Sequence, residues 1–136
     1  SLETGQTPWT PAVSIFYQLD RALEMMLAEG LENIFARHHA LARLVRDGVR
    51  SLGLDLFAAE GVESSTVTSI RGPEGIEVKE LLSVARTEFD TVFAGGQRDL
   101  NGKIFRFGHL GFVTEDDVHA GLTALEGTLA KLGFSK

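Results

Sequence analysis

The chain of 136 residues contains no cysteine, which removes disulfides, thiolate nucleophiles and zinc–thiolate sites and leaves the redox compartment open. Basic charge is also short. Thirteen Lys and Arg stand against nineteen Asp and Glu, a net charge of −6, whereas nucleic-acid binding depends on clustered cations, so a phosphate-backbone partner is not expected. No apolar run approaches the roughly 20 residues that span a bilayer, and the N-terminus lacks a basic-then-apolar signal pattern. The expectation is a cytoplasmic protein without membrane contact. Low-complexity segments and internal repeats are missing too. With 43% hydrophobic and 24% charged residues, the composition is that of an ordinary globular domain, of single-domain length but short for most complete metabolic enzymes.

Hydrophobic spacing divides the chain into elements. From Pro11 to Glu29, residues Ile15, Phe16, Leu19, Ala22, Leu23, Met26 and Leu27 form a broad apolar arc at helical period, wide enough to want contacts on two sides. Gly30 interrupts it. Leu31, Ile34, Phe35, His38, Leu41, Ala42, Val45, Val49 and Leu52 then give a second long helix with one clean face, stopped by Gly53. Strands are expected at Leu54 to Ala58 and Ser65 to Ile70, and a helix from about Ile76 to Phe89. Two more strands follow, Thr91 to Ala94 and Lys103 to Leu110, joined by the turn-rich stretch from Gly95 to Gly102. A last helix starts at Thr114, whose hydroxyl can cap it, with Asp116 and Asp117 at its positive end.

This order describes an α+β fold: a small, mainly antiparallel sheet with helices packed on one face, preceded by two long helices. Within it, Arg106 stands alone among apolar neighbours in the segment from Lys103 to Gly111. Burying a guanidinium is costly unless an acceptor or anion meets it, so a small carboxylate is the expected partner. Alternation puts Phe105, Phe107 and His109 on one face and Ile104, Arg106, Gly108 and Leu110 on the other. The aromatic face should pack on the helices, leaving Arg106 directed away from them.

A family resemblance runs over nearly the whole chain. Thr7-Pro8-Trp9-Thr10-Pro11-Ala12-Val13-Ser14 leads into a long helix, Ala28 to Asn33 precedes Arg37-His38, and Thr66-Val67-Thr68 lies in a strand. Gly95-Gly96 then precedes Gly102-Lys103-Ile104-Phe105-Arg106-Phe107-Gly108-His109-Leu110-Gly111. In this order and spacing the motifs resemble the C-terminal small domain of class V (fold-type I) pyridoxal-phosphate aminotransferases, in the alanine–glyoxylate and serine–glyoxylate (serine–pyruvate) branch. On that likeness residues 1–10 are an N-terminal segment, with Ser1 and Leu2 read as vector-derived, and residues 11–136 are the small domain.

The resemblance implies that Arg106 is the fork gripping the substrate α-carboxylate, a task for which a planar guanidinium is better shaped than an ammonium. It further implies that Thr10, and secondly Thr7, reach the cofactor phosphate of the neighbouring subunit in a homodimer. The same threonine would be explained by an N-cap with proline at the first helical position. Pyridoxal 5′-phosphate would serve the parent protein, with serine or alanine as amino donor and glyoxylate or pyruvate as acceptor. None of Lys79, Lys103, Lys131 or Lys136 lies in a motif matching the cofactor-binding lysine, so no catalytic residue is expected in this chain and it should not turn over substrate alone. The missing large domain would supply that lysine. Related proteins have also carried a soluble-hydrogenase-subunit label, which a cysteine-free chain does nothing to support.

Other candidates read as structural. Gly95-Gly96 marks a turn that allows positive φ or close backbone approach. His38 and His39 occupy adjacent helical positions that face apart, and no acid or histidine completes a metal set. His109 reads as a packed or hydrogen-bonded side chain, and His119 as surface. The competing function is a non-catalytic, amino-acid-sensing regulatory module of ferredoxin-like type, with Arg106 as carboxylate anchor. A purely structural docking domain, using the apolar first helix, is the other alternative.

Overall fold

The computed structural model describes residues 9–134. They fall into two units, one ending at Ala36 and the other beginning at Arg37. Thr7 lies outside the described residues.

The first unit holds α1 (Val13–Glu29) and the opening turns of α2 (Leu31–Ser51). Helix α1 starts two residues later than Pro11, because the cap is Ala12, which has no side chain to bond the first N–H groups. Neither Thr10 as cap nor Pro11 as first helical residue is therefore found. The helix stops at Gly30, whose φ of 84° would strain any side chain and whose N–H bonds to the Met26 carbonyl. No residue of α1 is buried, and Phe16, Leu23 and Leu27 of its apolar arc are exposed.

The second unit carries the core. Beyond α2 it contains β1 (Val67–Arg71), α3 (Val78–Phe89), β2 (Ala94–Gly95), β3 (Ile104–Gly108) and α4 (Glu115–Lys131), with a 3₁₀ turn at Arg98–Leu100. The three strands form an antiparallel sheet in the order β1-β3-β2, consistent with the expected α+β architecture. Strand alternation turns Phe105 and Phe107 of β3, together with Ile70 of β1, toward Leu41, Val45 and Val49 of α2, Leu81 and Ala85 of α3, and Val118 and Leu125 of α4. Burying each such side chain contributes about 1.5–3 kcal/mol, so the sheet is held by this one face. Phe93 meets both strand phenylalanines, with ring centroids 5.9 and 5.3 Å apart.

Two expected strands shrink. Leu54 to Ala58 keeps a single bridge, Leu56 to Ile70, because positive φ at Gly53 and Gly61 bends the chain on either side of it. Thr91 to Ala94 gives way to the two-residue β2, one step later, because Asp90 at φ 48° turns the chain out of α3 and Phe93 is committed to the core. Helix α4 matches expectation. Thr114 accepts from the Asp117 N–H at 3.2 Å, and the Asp117 carboxylate accepts from the Thr114 N–H at 2.8 Å, closing a capping box.

Candidate functional site

The register of β3 defines the surroundings of Arg106. It pairs with Ser69 on one side and Ala94 on the other, and Gly108, two residues along the same face, pairs with Val67. Small side chains therefore flank the guanidinium across both neighbouring strands. A Cβ on Gly108 would meet nothing nearer than Leu110 at 3.4 Å. Arg106 is partly buried, and within its own unit it lies on the sheet face opposite the one packed on the helices.

Its hydrogen bonding is one-sided. Nε donates to the Gly95 carbonyl at 3.1 Å, and among the described residues no carboxylate pairs with the side chain. A guanidinium carries five donors, so this leaves the two terminal nitrogens, the edge that matches a carboxylate, without an anionic partner among the described residues. The backbone acceptor is the feature that sequence reading missed. A carbonyl has no residue-type signature, and only the β2–β3 pairing brings Gly95 alongside.

The Gly95-Gly96 pair is tight rather than left-handed, since neither residue has positive φ. A Cβ on Gly96 would run into the Leu100 carbonyl, with its carbon only 2.6 Å away and Ile104 Cγ1 at 2.9 Å. The Gly96 N–H bonds to the Ile104 carbonyl at 2.9 Å, closing the hairpin, while the Lys103 N–H holds the Leu100 carbonyl at 3.1 Å from the other side.

Behind the arginine face, His109 is fully buried and shares a 2.9 Å hydrogen bond with Thr68 Oγ1 through Nε2, while Nδ1 has no partner. Burial, reinforced by the nearby Arg46 charge, lowers its pKa below the usual histidine value, so the ring is held neutral. The chain after it is clamped from α2. Arg37 donates to the carbonyls of Gly111 and Val113 at 3.0 and 3.2 Å, and His38 Nε2 accepts from the Gly111 N–H at 3.2 Å. His39 instead meets Ser65 Oγ at 3.0 Å through Nδ1, so the adjacent histidines serve separate segments. Among the described residues no group of three acidic or histidine side chains is placed to hold a metal ion. His119 is exposed, 3.7 Å from Glu115. Among the described residues no helix is long and apolar enough to cross a membrane.

Of the expected phosphate-contacting pair, Thr10 is exposed ahead of α1. Thr10 belongs to the first unit and Arg106 to the second.

No family model matches the chain. Individual proteins do. It is 46% identical over 129 residues to the soluble hydrogenase small subunit of Synechococcus sp. (strain PCC 6716), covering 95% of this chain and 33% of that protein. It is 39% identical over 134 residues to the serine–glyoxylate aminotransferase of Hyphomicrobium methylovorum, covering 98% and 33%. Among solved structures, the pyridoxamine–pyruvate aminotransferase from Mesorhizobium loti superposes with a TM-score of 0.91 at 37% identity, over 96% of this chain and 34% of that one. The chain thus spans about a third of the length of the curated relatives it matches.

Proposed function

We propose that this chain, which is similar to aminotransferases over about a third of their length, is the C-terminal small domain of a class V aminotransferase. The intact protein moves an amino group from serine or alanine to glyoxylate or pyruvate. It does so as a cytoplasmic homodimer with pyridoxal 5′-phosphate.

One observation carries this reading: Arg106 has one edge tied to the Gly95 carbonyl and no carboxylate partner among the described residues. In that setting the side chain binds an α-carboxylate through two parallel charge-assisted hydrogen bonds, which fixes direction as well as position. Its cross-strand partners Ser69 and Ala94 are small, and Gly108, two residues along the same face, carries no side chain. Arg106 thereby orients the bond at Cα that must break, converting binding energy into alignment.

The start of α1 fits the cofactor's phosphate. Thr10 presents an exposed hydroxyl, and Ala12 offers no side chain to occupy the helix's first N–H groups. We assign Thr10, with Thr7 second, to the phosphate of the neighbouring subunit. Bound pyridoxal phosphate, with a lysine from the rest of the protein, supplies the electron sink and the proton transfer. This chain supplies carboxylate recognition and contains no cysteine for a thiolate-held redox centre.

The test is Arg106→Ala in the full-length protein, assayed with L-serine or L-alanine and glyoxylate. Losing a paired, charge-assisted contact removes about 2–4 kcal/mol of transition-state binding, a fall of roughly 30- to 1000-fold in kcat/KM. An unchanged value removes Arg106 from the site and ends the proposal.

A further inference from the structure

Among the described residues one nitrogen of Arg106 is held, and the group that holds it is a backbone carbonyl whose place depends on a neighbouring residue. Gly95 lies in β2, beside β3, and its carbonyl receives Nε at 3.1 Å. What keeps that carbonyl there is the next residue. Gly96 closes the hairpin through the Ile104 carbonyl at 2.9 Å and lies directly against the Leu100 carbonyl. The 3₁₀ turn cannot readily retreat. The Lys103 N–H grips Leu100 at 3.1 Å, the Leu100 N–H bonds the Gln97 carbonyl at 3.0 Å, and Arg98 already sits at φ 50°. A single Cβ at Gly96 must therefore open the β2–β3 end, and the Gly95 carbonyl moves with it. At Gly95 itself a Cβ would meet only the tip of Leu82 at 3.3 Å, which can yield.

We propose that Gly96 is a positioning residue for substrate: by keeping the Gly95 carbonyl on Nε, it aims the free edge of the Arg106 guanidinium at the carboxylate. A long side chain loses several rotatable bonds when it binds. Tying Nε beforehand removes most of that loss and selects the end-on presentation of the two terminal nitrogens. The absence of a side chain at Gly96 is thus read at the substrate, not merely in the turn. This rests on the carboxylate reading of Arg106.

The experiment is a double-mutant cycle in the full-length protein. Gly96→Ala, Arg106→Ala and their combination are assayed for kcat and KM with L-alanine and glyoxylate. Gly96→Ala should lower kcat/KM ten- to a hundredfold, chiefly through KM, yet change the Arg106→Ala background less than threefold. Equal losses from Gly96→Ala in both backgrounds would make Gly96 structural only and overturn the inference while leaving the carboxylate reading intact. No loss from Arg106→Ala would overturn both. Should Gly96→Ala fail to fold, Arg106→Lys replaces it. It keeps the charge but lacks the Nε donor, and it should lose nearly as much as Arg106→Ala. Retention of more than half the activity by that variant would overturn the inference.

Discussion

Adding one methyl group to a helical glycine should stabilise or destabilise this protein according to what stands opposite, and two glycines separate the cases. Gly48 in α2 and Gly121 in α4 are both helix-interior positions where Ala is intrinsically favoured by about 1 kcal/mol. At Gly121 a Cβ would lie 2.5 Å from Phe107 Cζ and 3.2–3.3 Å from the two ring carbons beside it. The ring has little room to withdraw, being buried and backed by Phe93 at 5.3 Å between centroids. Overpacking of this kind costs about 1–3 kcal/mol, which exceeds or cancels the helical gain. At Gly48 the obstacle is the flexible end of Leu122, a partly buried side chain at the rim of a cleft with Asp47, Ser51 and His119, and rotating it away costs little. Gly121→Ala should therefore be less stable than Gly48→Ala by about 1–2 kcal/mol, read as a lower urea midpoint at unchanged slope in circular dichroism. The exposed apolar arc of α1 favours self-association, so melts should be run at several low micromolar concentrations. A Gly121→Ala chain as stable as Gly48→Ala would refute the claim that the Phe107 wedge is rigid.

Two further outcomes follow from the same packing. His109 is held neutral by burial, so between its ordinary value near 6.5 and its lowered folded value the unfolded chain takes up a proton that the fold refuses. Its contribution is complete above about pH 6.5 and is lost as the pH falls through the window below, so unfolding free energy should decline faster from pH 7 to 5 in wild type than in His109→Gln, and equal slopes would contradict this. Thr114→Ala removes the cap of α4 and its bond to Asp117, which should lower stability by about 1 kcal/mol. It should also remove stability that is otherwise present above the ordinary aspartate range and lost on acidification, because the Thr114 bonds hold the Asp117 pKa down.

What the sequence made readable, and what it hid, divides along physical lines. The long helices, the cap at Thr114 and the alternation of Phe105, Arg106 and Phe107 were legible because each is a local pattern with a period set by backbone geometry. The short strands were not. Leu56 pairs once with Ile70, and β2 has two residues, because the extent of pairing is decided by the path of turns at Gly53, Gly61 and Asp90, not by the β-propensity of the segment. Pro11 misled for a related reason: proline suits a first helical position, but the helix begins where consecutive carbonyls find donors, here at Ala12.

The same division explains why the arginine was found and its mooring was not. An isolated cation in an apolar strand is conspicuous in a sequence because its desolvation must be answered by something. The answer from within the chain turned out to be a carbonyl on Nε, which the residue order cannot display, since every residue has one. That bond satisfies part of the guanidinium, and among the described residues no carboxylate neutralises its charge. A side chain whose task was only to join β2 to β3 could be replaced by an uncharged donor at far lower desolvation cost. The retention of a full charge, flanked by Ser69, Ala94 and Gly108, is the observation behind our proposal that a substrate carboxylate is its partner.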